Sequence, residues 1–422
     1  MFDRRSTLVA VLVATMTATS FQIFALSVLA IELITDLDLS RAELGLIGSV
    51  NTMTGALTAP LSGRLTDRIG PWAAAVSGML ISAVGMSMMA LSGSTLALAA
   101  SALVSGVPQG WGNPATNALI AERVAPGVQG TITGIKQSGV QFGVFLSGLT
   151  LPTLAVWLGW RGASWVYAAV FALVAVLTAV LLPRRPTAPT PPPSAPHDAS
   201  VADRAGSVGA GSAGGVDDVV AMDPWIWRLA GYALLSGTVG GTIGRFFPLW
   251  AEESVGMTTR TAGFLVAMTG MLGIVARIVA GRVAEASESP PRLLRILAVL
   301  GGVYGLVLVA TPALGSWILW PATALNAVGI GAWNAVAMLA IIMVVPRQLA
   351  GRASGVVMLG FLGGLSLGSP IAGWAVDRWG SYQPVWGVCV VLSALAVASL
   401  SSGPDHRSGG SVSRVRADKR PG

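Results

Sequence analysis

The 422-residue sequence predicts an all-α polytopic membrane protein, its twelve transmembrane helices arranged as two pseudo-symmetric six-helix bundles. Three observations carry that expectation. Hydrophobic residues make up 53% of the chain and charged residues 11%, apolar runs of spanning length recur throughout, and the second half echoes the first at a fixed offset. A soluble domain carries roughly a quarter charged residues, whereas about 20 apolar residues cross a hydrocarbon core. The 53 glycines and 24 prolines fit the same setting, because both are commoner in membrane helices and small side chains let helices approach.

The N-terminus, "MFDRRSTLVAVLVATMTATSFQIFALSVLA", has the basic start and apolar middle of a signal peptide. Its apolar run continues through Ile31 and Ile34, too long for a signal core, so it is read as the first span. Six spans are expected near 8–34, 42–62, 72–91, 95–121, 130–155 and 162–182. Six more are expected near 225–252, 259–281, 293–312, 315–343, 350–373 and 383–401. Between them lies "RRPTAPTPPPSAPHDASVADRAGSVGAGSAGGVDD", rich in Pro, Ala, Gly and Ser, which reads as a flexible linker. The expected units are a bundle at 1–183, a linker at 184–222, a bundle at 223–402 and a polar, disordered tail at 403–422.

With the N-terminus placed in the cytoplasm, nineteen of the 26 basic residues fall on that side, among them Arg64, Arg68, Arg282 and the tail cluster. Four fall on the other: Arg41, Arg161, Arg260 and Arg378. This bias predicts a multi-pass protein of the cytoplasmic (inner) membrane with both termini and the linker in the cytoplasm. Lys136, Arg245 and Arg277 remain, all inside predicted spans.

Several functions are excluded by composition. Cys389 is the only cysteine, so neither an intrachain disulfide nor a cysteine metal cluster is expected. His197 and His406 both lie in polar segments, which argues against a histidine metal site or catalytic centre. The chain carries no Gly-rich phosphate loop and no Ser-His-Asp constellation. No enzyme activity, cofactor, metal or nucleic-acid partner is expected.

An internal repeat appears when 221 is added to the numbering of the first half. Gly110 then meets Gly331, Asn113 meets Asn334, Gly134 meets Gly355, Gly139 meets Gly360 and Gly159 meets Gly380. Two six-helix halves joined by a linker imply parallel repeats about a central axis. "SGRLTDRIG" (62–70), placed in the loop between the second and third spans, resembles the Gly-x-x-x-Asp-Arg-x-Gly signature of the major facilitator superfamily. "AGRVAEASES" (280–289) is similar to its degenerate second copy, with Glu285 as the acid. "LGWRGASWVY" and "DRWGSYQPVW" resemble the loops before helices six and twelve of that superfamily.

The resemblance implies alternating access by two rocking bundles. It also implies a gating loop of Gly63, Asp67, Arg68 and Glu285. Asp67 would face the start of helix eleven near Ala350 to Ser354, where a helix dipole favours negative charge. In the competing reading these side chains are merely solvated. Two departures stand out: Pro71 and Trp72 replace the basic residues that often follow the loop, and Gly106 replaces an arginine three residues before Gln109. The proton relay of drug exporters therefore does not carry over.

A charge inside a span costs about 2.5–3.5 kcal/mol on insertion scales and marks a functional candidate. Lys136 falls about two turns into helix five, beside Gln137 and Gln141; it either binds substrate or snorkels to the surface. Arg277, in "GIVARIVAGR", has the same two readings. Its Ala-Arg-x-x-x-Gly setting resembles the monocarboxylate and oxalate/formate carriers, which implies a carboxylate-binding arginine. Arg245, next to Phe246, Phe247 and Trp250, either guards the external entrance or anchors at the interface, and anchoring is the preferred reading. Glu32 is either a proton-coupling acid or an interfacial residue. Gln109, Asn113 and Asn334 either line a shared cavity or hydrogen-bond neighbouring helices. The leading expectation is a secondary transporter of a small organic anion, a carboxylate by preference. It would function as a monomer in the lipid bilayer, with or without a coupling ion. The alternative is an exporter of a drug or secondary metabolite.

Overall fold

Regular secondary structure is entirely helical among the residues described by the computed structural model, 4–125, 128–182, 223–287, 289–344 and 347–401. The predicted linker and tail lie outside them. In the first half, α1 (Arg4–Val28) and α2 (Ala30–Leu37) form one span broken at Leu29. α3 (Arg41–Ile69), α4 (Pro71–Ala90), α5 (Thr95–Arg123) and α6 (Gln129–Leu181) follow. α6 is two spans, because Gly159 at φ 67° reverses the chain inside it, a backbone region that glycine enters without strain. The second half holds α7 (Pro224–Glu253), α8 (Thr259–Ala286), α9 (Pro290–Leu314), α10 (Leu319–Gly329), α11 (Trp333–Val344), α12 (Arg347–Trp379) and α13 (Gln383–Ser399). α10 and α11 make one interrupted span, which completes twelve.

Seven of these stretches are long and apolar enough to cross a membrane on composition, and one of them, Ile132–Leu181, contains two spans. α3, α5 and α7 have 29, 29 and 30 residues, so they are long enough but diluted by Thr, Asn, Gln and Gly. α13 is apolar and shorter. Local chemistry sets the ends. Ser40 and Glu43 form a reciprocal capping box at the start of α3. Gly70 at φ 86° and Pro71 at the first position of α4 make the next turn.

The signature expected in a loop is helical instead. α3 runs through Ser62 to Ile69, since nothing before Gly70–Pro71 stops it, and α8 likewise continues to Ala286. The repeat is visible in the backbone. Gly159 and Gly380 both take positive φ, 67° and 63°. A Cβ on Gly139 would stand 2.5 Å from the Val13 carbonyl oxygen of α1, and one on Gly360 would stand 2.5 Å from the Ala230 oxygen of α7. Each half thus presses matching glycines onto its own first helix.

The halves meet along two seams. Between α3 and α12, a Cβ on Gly45 would lie 2.5 Å from the Ser369 oxygen, and the Ser49 hydroxyl donates to the Ser366 carbonyl. Between α6 and α8, a Cβ on Gly148 would lie 2.4 Å from the Gly263 oxygen. Ser27 of α1 also donates to the Gly244 and Arg245 carbonyls of α7. Ion pairs cross the same end: Arg41 bonds Glu253 (2.7 Å) and Asp377 (3.4 Å), and Tyr382 donates to Glu253 (2.6 Å). Toward the linker end of these helices, a Cβ on Gly63, Gly134, Gly281 or Gly355 would meet nothing within 4 Å among the described residues. The halves are closed at the Arg41 end and parted at the linker end.

The expected Asp67 latch falls on a helix start whose side chains, 347–352, lie outside the described residues. Asp67 and Arg68 are exposed, and the side chains of Glu285 and of residues 342–352 lie outside the described residues. Its chemistry occurs at the opposite end, where the Asp377 carboxylate accepts from the Arg41 (3.2 Å) and Ala42 (2.8 Å) backbone N–H groups at the start of α3.

A cysteine introduced as Gly63→Cys tests the coupling between the two ends. It reacts readily with a soluble maleimide, against little background from buried Cys389. Adding Gly45→Leu, which pries open the Arg41 end, slows that labelling several-fold; an unchanged rate removes the coupling.

Candidate substrate-binding site

Lys136 and Arg277 stand on α6 and α8, the facing helices of one seam. That seam is in contact from Gly148–Gly263 down to Gln141–Gly273, where a Cβ on Gly273 would lie 3.0 Å from the Gln141 carboxamide carbon. Below it the helices part. The two cations therefore sit at the inner limit of the opening, one from each half.

Lys136 does not snorkel. It is 1% exposed, and its Nζ donates sideways into α5, to Asn113 Oδ1 (3.1 Å), Thr116 Oγ1 (2.9 Å) and Asn117 Oδ1 (2.6 Å). An ammonium has three donors, and all three are used here on neutral acceptors. Thr116 passes its own proton to the Gly112 carbonyl (2.6 Å). Asn113 also accepts from Gln137 Nε2 (3.2 Å). The ammonium fixes both carboxamides with oxygen inward, an orientation set by the hydrogen-bond network. Asn113 and Asn117 are exposed, so their NH2 groups are left on the cavity side.

Arg277 is held differently. Its Nε donates to the Gly331 carbonyl (3.0 Å) and an Nη1 hydrogen reaches the Gln137 carbonyl (3.5 Å). The network orients Gln141 so that its oxygen accepts from Arg277 Nε (3.3 Å) and Nη2 (3.2 Å). Gly331 lies in the break between α10 and α11, where a carbonyl is freed from the helix ladder. A guanidinium has five N–H donors, so Arg277, half-buried, keeps donors for a ligand.

Arg245 is not an interfacial anchor. It is 4% exposed, packed between α7 and the first half. Its Nη1 donates to the Ile23 carbonyl (3.3 Å), its Nε is shielded without a partner, and its Nη2 fills the space where a Cβ on Gly48 would lie 2.0 Å away. Packing into a glycine notch on the opposite half draws it inward. Among the described residues, no ion pair involves Lys136, Arg277 or Arg245.

The remaining candidates scatter. Gln109 packs on Gly55 of α3, and its Oε1 is shielded without a partner. Asn334 is half-buried near the start of α11, three residues beyond Gly331 and without a bond to the cation cluster. Glu32 lies in the first turn of α2 with Oε2 shielded and unpartnered, close enough to Glu252 of α7 for their charges to interact. Both belong to the closed Arg41 end, away from Lys136. Asn117, one of the polar residues within spans, and Thr116, which the sequence did not single out, complete the lysine cradle. Their signal was spacing alone: with Asn113, they lie three and four residues on, one face of a helix.

The Major Facilitator Superfamily profile matches residues 10–368. The chain is similar to a probable hexose phosphate transport protein of Chlamydia pneumoniae, 23% identical over 65% of this chain and 64% of that protein, just under two thirds of its length. It is similar to the membrane sensor protein UhpC of Escherichia coli (strain K12), 22% identical over 85% of this chain and 83% of that one. Its fold is that of the inward-facing, unoccupied crystal structure of a bacterial homologue of the human lysosomal transporter Spinster, with a TM-score of 0.77, 16% identity, and coverage of 95% of this chain and 97% of that chain. With the profile spanning most of both halves, the chain belongs to the Major Facilitator Superfamily and is a multi-pass membrane protein.

Proposed function

We propose that the protein carries a small organic anion by alternating access, with the linker end facing the cytoplasm. One observation carries the proposal: buried cations at the meeting of the halves are satisfied only by neutral groups among the described residues. A buried charge without a counter-ion is costly, and an anionic substrate supplies the missing charge. The sidedness rests on the nineteen-to-four distribution of basic residues.

The roles divide by available donors. Arg277 touches the anion directly, its planar fork suited to a carboxylate or phosphate. Lys136, with no free proton, acts through Asn113 and Asn117, whose amide hydrogens it holds toward the cavity, and Gln137 and Gln141 tether the two helices that must part. The resemblance around Arg277 to monocarboxylate and oxalate/formate carriers favours a carboxylate; the hexose phosphate relative favours a phosphate ester. Both ligands present two or more oxygens to one guanidinium. Glu32, beside Glu252, is the candidate for a coupling proton.

Thermal unfolding of the purified protein against matched panels of carboxylates, phosphate esters and hydrophobic cations tests the proposal. One anion class stabilises the protein, by about 2.7 kcal/mol at a hundred times its dissociation constant, and Arg277→Ala abolishes the effect. Stabilisation by cations, insensitive to Arg277→Ala, would overturn it in favour of a drug or metabolite exporter.

A mutant cycle separates positioning from contact. Lys136→Met and Asn113→Ala each weaken anion affinity about tenfold, or ~1.4 kcal/mol, and the double variant loses less than the sum because the two act as one unit. Full additivity would mean that Lys136 meets the substrate on its own.

A further inference from the structure

We propose that a groove on the flank of the first half, separate from the substrate site, binds one acyl chain of an anionic phospholipid from the leaflet at the linker end. The two spans of α6 are joined near Gly159. Toward the linker end α1 lies against both, and the three segments enclose a cavity of about 770 Å³. Val9 and Val13 of α1 form its floor, Ile135 and Phe142 one wall, and Val170 and Val174 the other. Ile135, Phe142 and Val170 remain exposed, so the groove opens between two spans, onto the bilayer.

Three features choose the occupant. The α1 lining runs from Arg5 to Thr17, about 18 Å at 1.5 Å per residue, a little over half of the ~30 Å hydrocarbon core. That is the depth of one leaflet. The interior offers water little: the Thr17 hydroxyl is already committed to the Val13 (2.9 Å) and Gly139 (2.8 Å) carbonyls, and a cavity holds water only where polar partners surround it. Exposed Arg5 stands at the mouth, at the depth where basic residues next to a span attract anionic headgroups.

The groove does not communicate with Lys136. The close approach of Gly139 to Val13 seals α1 against the first span of α6, and Lys136 points the other way, into α5. A chain lodged here braces the span that carries Lys136 from its lipid side, as a fixed wedge and not as cargo.

Native mass spectrometry of detergent-purified protein exposed to equal amounts of dioleoyl phosphatidylglycerol and dioleoyl phosphatidylcholine tests this. One lipid is retained per chain, with the glycerol lipid favoured several-fold. Ala10→Trp fills the floor and Val170→Trp the wall; each removes the retained lipid while the thermal midpoint shows a folded protein, and the second variant stands in should the first misfold. Arg5→Gln keeps one lipid and loses the headgroup preference. Absence of a retained lipid, or retention unaffected by both tryptophans, overturns the site. An unchanged preference in Arg5→Gln overturns the headgroup contact, and displacement of the lipid by a transported solute overturns its role as a wedge.

Discussion

Two helix bundles in lipid have no hydrophobic force to hold them together, because the surrounding chains are as apolar as their own surfaces. What holds them is backbone approaching backbone. Here that contact is made by glycine and serine along α3–α12 and α6–α8, and it is made at one end only. The Arg41–Glu253–Asp377–Tyr382 group reinforces the closed end. It is partly exposed, and exposed pairs contribute little on their own, so small residues close the seam and charges refine it. Gln141 and Gly273 mark the depth at which the α6–α8 seam parts.

The cations gain their meaning from this placement. Arg277 lies at the point where α6 and α8 separate and bonds to backbone on both halves, Gln137 and Gly331. Any rocking of the bundles must exchange one of those bonds for another partner. Arg245, by contrast, is enclosed where the halves are closed and takes a single carbonyl across the interface. When that end opens, its guanidinium becomes the group most in need of a new acceptor. The two arginines thus register the two positions of the same motion.

The twelve-span architecture was legible because apolar length and the 221-residue repeat are one-dimensional signals. Gly159 and Gly380 paired in sequence pair again in backbone conformation. Helix ends were less legible: Gly63 in the signature looks like a turn, but a lone glycine does not stop a helix, and α3 continues to Ile69. The site was legible in part. Lys136, Gln137, Asn113, Gln141 and Arg277 converge, whereas Gln109 and Asn334 do not join them. Arg245 was misread because flanking aromatics look alike at a bilayer surface and in a packed interface, and only the Gly48 notch on another helix tells them apart. Whether Lys136 met water or acceptors depended on Thr116 and Asn117, two residues whose polarity alone says nothing.

The repeat shows that the cradle is not required by the architecture. Under the 221 offset, Lys136 is matched by Val357, Asn113 by Asn334, Thr116 by Ala337 and Asn117 by Met338. In the second half three of these positions make an apolar cluster: Val357 and Ala337 are fully buried, and Met338 packs against them. The fold therefore closes equally well around hydrocarbon at this place. The first half instead holds an ammonium with its full complement of acceptors, and replacing lysine alone would leave those acceptors turned toward nothing. Lys136, Thr116 and Asn117 differ from their counterparts together, while Asn113 keeps an asparagine partner in Asn334. The scaffold is symmetric and the chemistry is not: on the proposed reading, one cradle and one facing arginine serve a single small solute.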